Sequence, residues 1–338
     1  MLYTFLVSLF LVAKVISVAV SVPQQNISQL QDLNDVPTKY DVVKGLFVQT
    51  DFFTNPLTFD INEDNFGLKK DTTWDDVVSK LRELNDNDNG EVYKLFFLAR
   101  HGEGYHNIAP YKHPLGWICY WSRKEGDGEI EWYDALLTDK GHDQISTLSD
   151  SWKKQLYTNN APLPQSYYVS PMRRCLQTYN DTWSSILNDT KVPLIKELAR
   201  EGYGIDSESR RHNKTYIEEF VPTYKFEDGF TEEDELWQED KYESSEHREY
   251  RATLLFNDIF SSDSNDIISI TSHSLTISSM LKVLNHRDFL LKTGQMIPVL
   301  VKASDFGKYA PPDLNDNNWI RLPKICDAFS HSENSSAV

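Results

Sequence analysis

The sequence VYKLFFLARHGEGYHN at residues 92–107 begins as an apolar run and ends in polar chemistry. Aromatic and aliphatic side chains in one short run read as a buried strand, and the run stops at Arg100, His101 and Gly102. A guanidinium and an imidazole at the tip of a core strand contribute little to packing. They suit a ligand site, because open α/β sheets bind ligands beyond the carboxyl ends of their strands. Gly102 and Gly104 let the backbone turn there and come close to a ligand.

A second core-like run, DIISITSH at 266–273, ends the same way on His273, and a helix through Leu275, Ile277 and Leu281 follows it. LTDKGHDQISTLSDSWKKQL (137–156) reads as a helix capped by Thr138, with Ile145, Leu148 and Trp152 on one face. His142 on that helix reads as a surface or satisfied histidine. SYYVS (166–170) and VPLI (192–195) read as short strands, and MIPVLVKASD (296–305) as a further strand or hairpin arm. SPMRRCLQTYNDTWSSIL (170–187) reads as a helix with Ser170 as cap and Pro171 in first position. Arg173 and Arg174 then fall in its first turn. The helix dipole disfavours cations there, so an arginine points to a task beyond helix stability.

Residues 22–90 read as an extension packed on this core. KGLFVQTDFF (44–53) is short and β-rich, LTFDINEDNFGLKK (57–70) is loop-like, and Thr73 or Thr72 caps a helix over WDDVVSKLRELN (74–85). Trp74, Val77, Val78 and Leu81 make its packing face. The connection 108–136 carries Trp117, Tyr120, Trp121 and Trp132 around EGDGE, which argues for order. It reads equally as a pocket wall that selects substrates or as a packed excursion. Residues 208–260 are helical in pattern, and FEDGFTEEDELWQED (226–240) reads as a solvated acidic face.

At 338 residues with 40% hydrophobic and 25% charged side chains, the chain can bury one large core. A net charge of −17 excludes nucleic acid or an anionic membrane face as a general partner. Any anionic substrate needs a local positive pocket. Residues 1–21 resemble a secretory signal peptide cleaved near Ser21, and no later stretch is long enough to span a bilayer, so stable membrane insertion after signal removal is not expected. The expectation is a secreted glycoprotein, free or held in the cell wall, with five sequons at Asn26, Asn180, Asn188, Asn213 and Asn334. Three cysteines allow one disulfide; Cys119 with Cys326 is the pairing to test, and Cys175 reads as a buried thiol.

Two histidines and one or two arginines at strand ends and helix starts would make a cationic cup for a phosphoryl group. Arginine suits it as a permanently charged, bidentate fork. A neutral imidazole nitrogen can attack phosphorus and form a phosphohistidine, and an acid must protonate the leaving alkoxide. Glu201, after VPLI, is the candidate acid, with Glu197 as its competitor. Arg173 reads as structural, and Arg210 and Arg211 as either anion contacts or a solvated turn. His106 and His113 have no convincing metal-ligand partners, and this chemistry needs no metal or cofactor.

These stretches resemble the histidine phosphatase superfamily, which contains cofactor-dependent phosphoglycerate mutase. RHGEGYHN (100–107) is similar to RHGxSxxN, with Gly104 in place of serine; LTDKGHDQ, SPMRRCLQT, LARE (198–201) and TSHS (271–274) follow in the family's order. GYHN, YWSRKEGDGEIEW (120–132) and LTDKG are closer still to fungal phosphomutase-like proteins. The resemblance implies a phosphoglycerate mutase-like α/β fold, three-layer α/β/α with a mostly parallel central sheet, plus the N-terminal extension and a helical insert. Its domain spans 91–330, leaving 331–338 as tail. His101 would be the nucleophile, Arg100, Arg174 and His273 would hold phosphoryl oxygens, Asn107 would contact substrate or phosphate, and Glu201 would be the acid. Ser274, where the phytase-like branch has aspartate, points back to Glu201. Three functions stay open: a metal-independent phosphatase for small phosphorylated substrates, a phosphomutase, and a non-catalytic secreted or wall protein. An acidic optimum is expected from a protonated Glu201 and a cationic His273. The reading requires residues 101, 174 and 273 to meet, with the imidazole of 101 open to solvent.

Overall fold

The computed structural model describes residues 36–87, 89–187, 191–307, 318–321 and 326. The leader 1–21, the tail 331–338 and the sequons at Asn26, Asn188 and Asn334 lie outside them. In chain order the elements are β1 (Lys39–Val42), α1 (Trp74–Asp86), β2 (Val92–Arg100), α2 (Tyr105–Lys112), α3 (Asp139–Thr158), β3 (Ser166–Val169), α4 (Arg173–Trp183), β4 (Leu194–Ile195), α5 (Lys214–Phe220), β5 (Lys225–Phe226), β6 (Lys241–Glu243), α6 (Ser245–Ser262), β7 (Ile267–Ser272), α7 (Ser274–Val283), β8 (Met296–Ser304) and β9 (Trp319–Arg321). Among the described residues no helix is long and apolar enough to cross a membrane.

Seven strands form one sheet in the order β1-β8-β2-β7-β3-β4-β5. From β2 through β7, β3 and β4 to β5 all neighbours are parallel, while β8 runs antiparallel to both β2 and β1. Helices α6 and α7 cover one face against Phe96, Leu98, Ile268 and Ile270; α1, α3 and α4 cover the other against Leu95, Phe97, Tyr167 and Val169. This is a three-layer α/β/α fold. The register places the site: Arg100 lies opposite Ser272, and Val169 opposite Thr271, so three distant segments end at one sheet edge. A parallel sheet carries all its carboxyl ends to one side.

Several local expectations are corrected. Residues 44–53 form no strand; a short 3-10 turn, Val48–Thr50, and a single bridge between Phe47 and Leu68 hold them while Phe47 sinks into the core beside Trp74. Burial of that ring overrides the local β propensity. Helix α4 starts at Arg173 with Met172 as its cap, because the Ser170 hydroxyl turns to His273 instead. Within 208–260 only α5 and α6 are α-helical, and the acidic run is no uniform solvated face: the Asp234 side chain is buried against Arg200.

The 108–136 connection is an ordered excursion. Trp132 is fully buried, its indole N–H donating to the Trp121 carbonyl, and His113 stacks on Trp121 at 4.1 Å. Its Cys119 is bonded to Cys326, with Cα atoms 5.0 Å apart, and Cys175 is a buried free thiol. Ser207 donates to the Lys124 carbonyl, so the excursion also holds the 206–211 segment beside the sheet edge.

Candidate active site

The floor of the site is His101. Its Nδ1 lies 2.7 Å from the Gly102 carbonyl oxygen. A carbonyl only accepts, so Nδ1 carries the hydrogen and Nε2 keeps a free lone pair. The His273 ring packs 5.1 Å away, edge on. The Arg174 Nε donates to its Nδ1 at 3.3 Å, and an arginine cannot accept; His273 therefore carries its hydrogen on Nε2, 2.7 Å from the Ser170 hydroxyl. Burial first, and the Arg174 charge second, push both imidazoles well below their ordinary values. His273 is thus neutral, which removes one ground for an acidic optimum.

Residues 101, 174 and 273 meet, as required. The imidazole of His101, however, keeps only 1% exposure, which contradicts the expected access to solvent, so a phosphoryl-transfer reading rests on the meeting of the three residues and not on an open ring. The rings of His106 and His273 lie 5.2 and 5.1 Å from that of His101, and main chain approaches closely beside it. A Cβ on Gly102 would stand 2.6 Å from the Gly141 carbonyl, and one on Gly141 would stand 2.1 Å from the Glu103 carbonyl. The start of α3 therefore presses directly on the loop that carries the histidine. Thr138 is its cap, accepting from the Gly141 N–H.

Two guanidiniums border the rings. Arg174, fully buried, donates Nη1 to the Glu208 carbonyl at 2.9 Å and Nη2 to the Glu208 carboxylate at 3.1 Å. Arg100 donates Nη1 to the Leu291 carbonyl, while its buried Nε has no partner among the described residues. Burial raises the Glu208 carboxyl to about 7 against the pull of Arg174. Burial is the main influence on the Arg100 guanidinium, and Glu201 is near enough to act on it. The Glu201 main chain is pinned from three elements: Ser272 donates to the Ala199 carbonyl, Thr276 to that of Arg200, and Arg251 of α6 to those of Leu198, Arg200 and Glu201. The carboxylate accepts from the Leu275 N–H at the start of α7 at 3.4 Å.

Other candidates fall elsewhere. Glu197 is buried between Arg200 and Arg211 and paired to both. Arg173 is bound to Glu131, Tyr216 and the Asp134 carbonyl. Arg211 is 2% exposed within the same ion lattice as Glu197, and Arg210 is exposed over the Trp237 ring. Asn107 caps α2, its side-chain oxygen accepting from the Gly104 N–H at 2.9 Å, so only its amide NH2 stays available for a ligand. His142 pairs with Asp181, and His113 with Asp127. Three neighbours escaped the sequence reading: Ser170, Glu208 and His106, whose ring lies 5.2 Å from that of His101. His106 and Ser170 each stand inside a quoted motif, the opening one and SPMRRCLQT, whereas Glu208 does not.

A three-layer fold whose parallel strands deliver two neutral histidines and two arginines to one edge is the frame of a phosphoryl-handling protein. The chain belongs to the histidine phosphatase superfamily (branch 1), which its residues 96–292 match. It is 45% identical over 290 residues to phosphomutase-like protein 3 of Candida albicans, covering 85% of this chain and 87% of that one. It is 39% identical over 302 residues to a probable phosphoglycerate mutase of Arthroderma benhamiae, covering 84% and 90%. Among solved structures, the phosphoglycerate mutase of Thermus thermophilus aligns with a TM-score of 0.33 at 18% identity, over 62% of this chain and 99% of that one.

Proposed function

We propose that this protein is a metal-independent phosphomonoester hydrolase that works through a phosphohistidine at His101. The carrying observation is the Nδ1–Gly102 bond, which leaves Nε2 as a lone pair beside two cations. Nε2 attacks phosphorus, the ester P–O bond breaks, and Glu201 gives its proton to the leaving alkoxide. Water then attacks the phosphohistidine, Glu201 takes a proton back, and the P–N bond breaks to release inorganic phosphate. Arg100 and Arg174 hold the equatorial oxygens, Asn107 offers its amide N–H groups to them, and His273, its one N–H turned to Ser170, positions the Arg174 guanidinium through Nδ1. The substrate is a small phosphate ester. Secretion belongs to this reading; the Cys119–Cys326 bond supports it, since disulfides persist in oxidising compartments. Asn180 is exposed on α4 and is one sequon that glycosylation would reach.

A mutase is the second reading, favoured by the 1% exposure of His101, since a closed pocket keeps water from the phosphohistidine. Phosphate release from p-nitrophenyl phosphate separates the two. Chelator-insensitive release, reduced at least ~10³-fold in His101→Ala, with an acid-labile adduct on residue 101 by quenched mass spectrometry, is the expected result. Isomerisation of phosphoglycerate without release would favour the mutase. A fully active His101→Ala would overturn both.

A further inference from the structure

The opening motif departs from its family at Gly104, and the structure shows what fills the space. A Cβ on Gly104 would stand 2.7 Å from Nδ1 and 2.8 Å from Cε1 of His106. Real Cβ atoms do not come so near, so residue 104 can carry a side chain only if the imidazole moves away. The ring also faces His101 at 5.2 Å, and its Nδ1 is buried with no hydrogen-bond partner among the described residues. A buried imidazole nitrogen without a partner is costly to maintain.

We propose that His106 donates a hydrogen bond to the phosphoryl group handled at His101, and that residue 104 is glycine because this ring occupies the volume a side chain there would need. The inference rests on the phosphoryl-transfer reading above and adds a binding residue to that site. His106 lies in the field of Arg174, His101 and Arg100, and burial with those charges holds it neutral. A neutral imidazole still has one N–H to donate. An incoming phosphoryl dianion supplies the acceptor that the protein does not, and its charge offsets the two guanidiniums.

The test measures orthovanadate affinity by calorimetry and p-nitrophenyl phosphate turnover for the full chain and four variants: His106→Phe, His106→Ala, Gly104→Ser and the Gly104→Ser/His106→Ala pair. Loss of a hydrogen bond to a charged group predicts ~10- to 100-fold weaker vanadate binding in His106→Phe, which keeps a ring but no donor. Gly104→Ser should lose about as much by displacing the imidazole. The pair should bind better than either Gly104→Ser or His106→Ala alone, because a hydroxyl then sits in the emptied space. A ring that only packs would give full affinity in His106→Phe and losses in the pair that multiply. Either result overturns the proposal. A wild-type chain that releases phosphate and binds vanadate, with His106→Phe equal to it, removes only this inference. A wild-type chain that does neither removes the phosphoryl-transfer reading and this inference with it.

Discussion

Arg174 and Arg211 are both buried at the carboxyl side of the sheet, and their surroundings show how one residue type serves two ends. Arg211 is saturated: its Nε donates to both oxygens of Glu197, and its terminal nitrogens to the carbonyls of His212, Thr231, Glu232 and Glu233. Arg200 beside it is held by Glu197 and Asp234, and the Asp234 carboxyl is kept below its ordinary value by that guanidinium. The lattice is charge-balanced. Around Arg174 and Arg100 the carboxylates are as many, Glu201 and Glu208, yet burial pushes Glu208 up to about 7, so half its population is neutral at that pH. The pocket is left cationic in a chain of net charge −17. A site for an anion arises here by weakening the counter-charge rather than by adding arginines.

The largest effect expected from this contrast is on stability. Arg211→Ala leaves the Glu197 carboxylate buried with one partner fewer, and breaking such a pair costs about 3–5 kcal/mol. Urea unfolding should show that loss, while kcat and KM of the folded fraction stay at wild-type values. Arg174→Ala should do the reverse. Loss of a positioned transition-state donor lowers kcat by ~10²–10³-fold, and Glu208 can stay protonated without its partner, so the melting temperature should move little. Arg174→Ala unfolding as readily as Arg211→Ala would erase the distinction. A folded, fully active Arg174→Ala would erase the site.

What could be read in the chain follows the same divide. Both histidine-tipped strands were legible because an apolar run that stops at a charged or ring nitrogen marks a buried strand end. Thr138 and Thr73 were legible as caps from local chemistry. The start of α4 was misread because Ser-Pro is a sound local cap signal, and only the fold brings His273 within 2.7 Å of that hydroxyl. Asp234 looked solvated inside an acidic run, and it is the pairing with Arg200, 34 residues away, that buries it. Glu201 is chosen over Glu197 by its place after VPLI and by resemblance; in the fold Arg251 grips the main chain of the first while two arginines enclose the second. Glu208 carried no local signal at all.

Two carboxyls carry the comparison to its finest scale. Glu208 in the pocket and Glu227 in the outer lattice beside Lys196 are both raised to about 7 by burial. Each then holds a proton in the folded chain that the unfolded chain has released above its ordinary value of 4.5. Folding binds protons in that window, so each group's contribution to stability falls as pH rises from about 4.5 to 7 and is flat above. The buried histidines oppose this, being lowered: their contribution is lost as pH drops below the ordinary value of 6.5. Glu208→Gln and Glu227→Gln should each flatten the decline between pH 5 and 7 by on the order of 2 kcal/mol, read by urea unfolding at both values. Activity separates them. Ionised Glu208 competes with a phosphoryl dianion for Arg174, so turnover should fall through about pH 7, and Glu208→Gln should lose that limb while Glu227→Gln keeps it. An acidic optimum would then come from Glu208 rather than from a cationic His273. A limb that survives in Glu208→Gln would place the titrating group elsewhere and leave the two carboxyls equivalent.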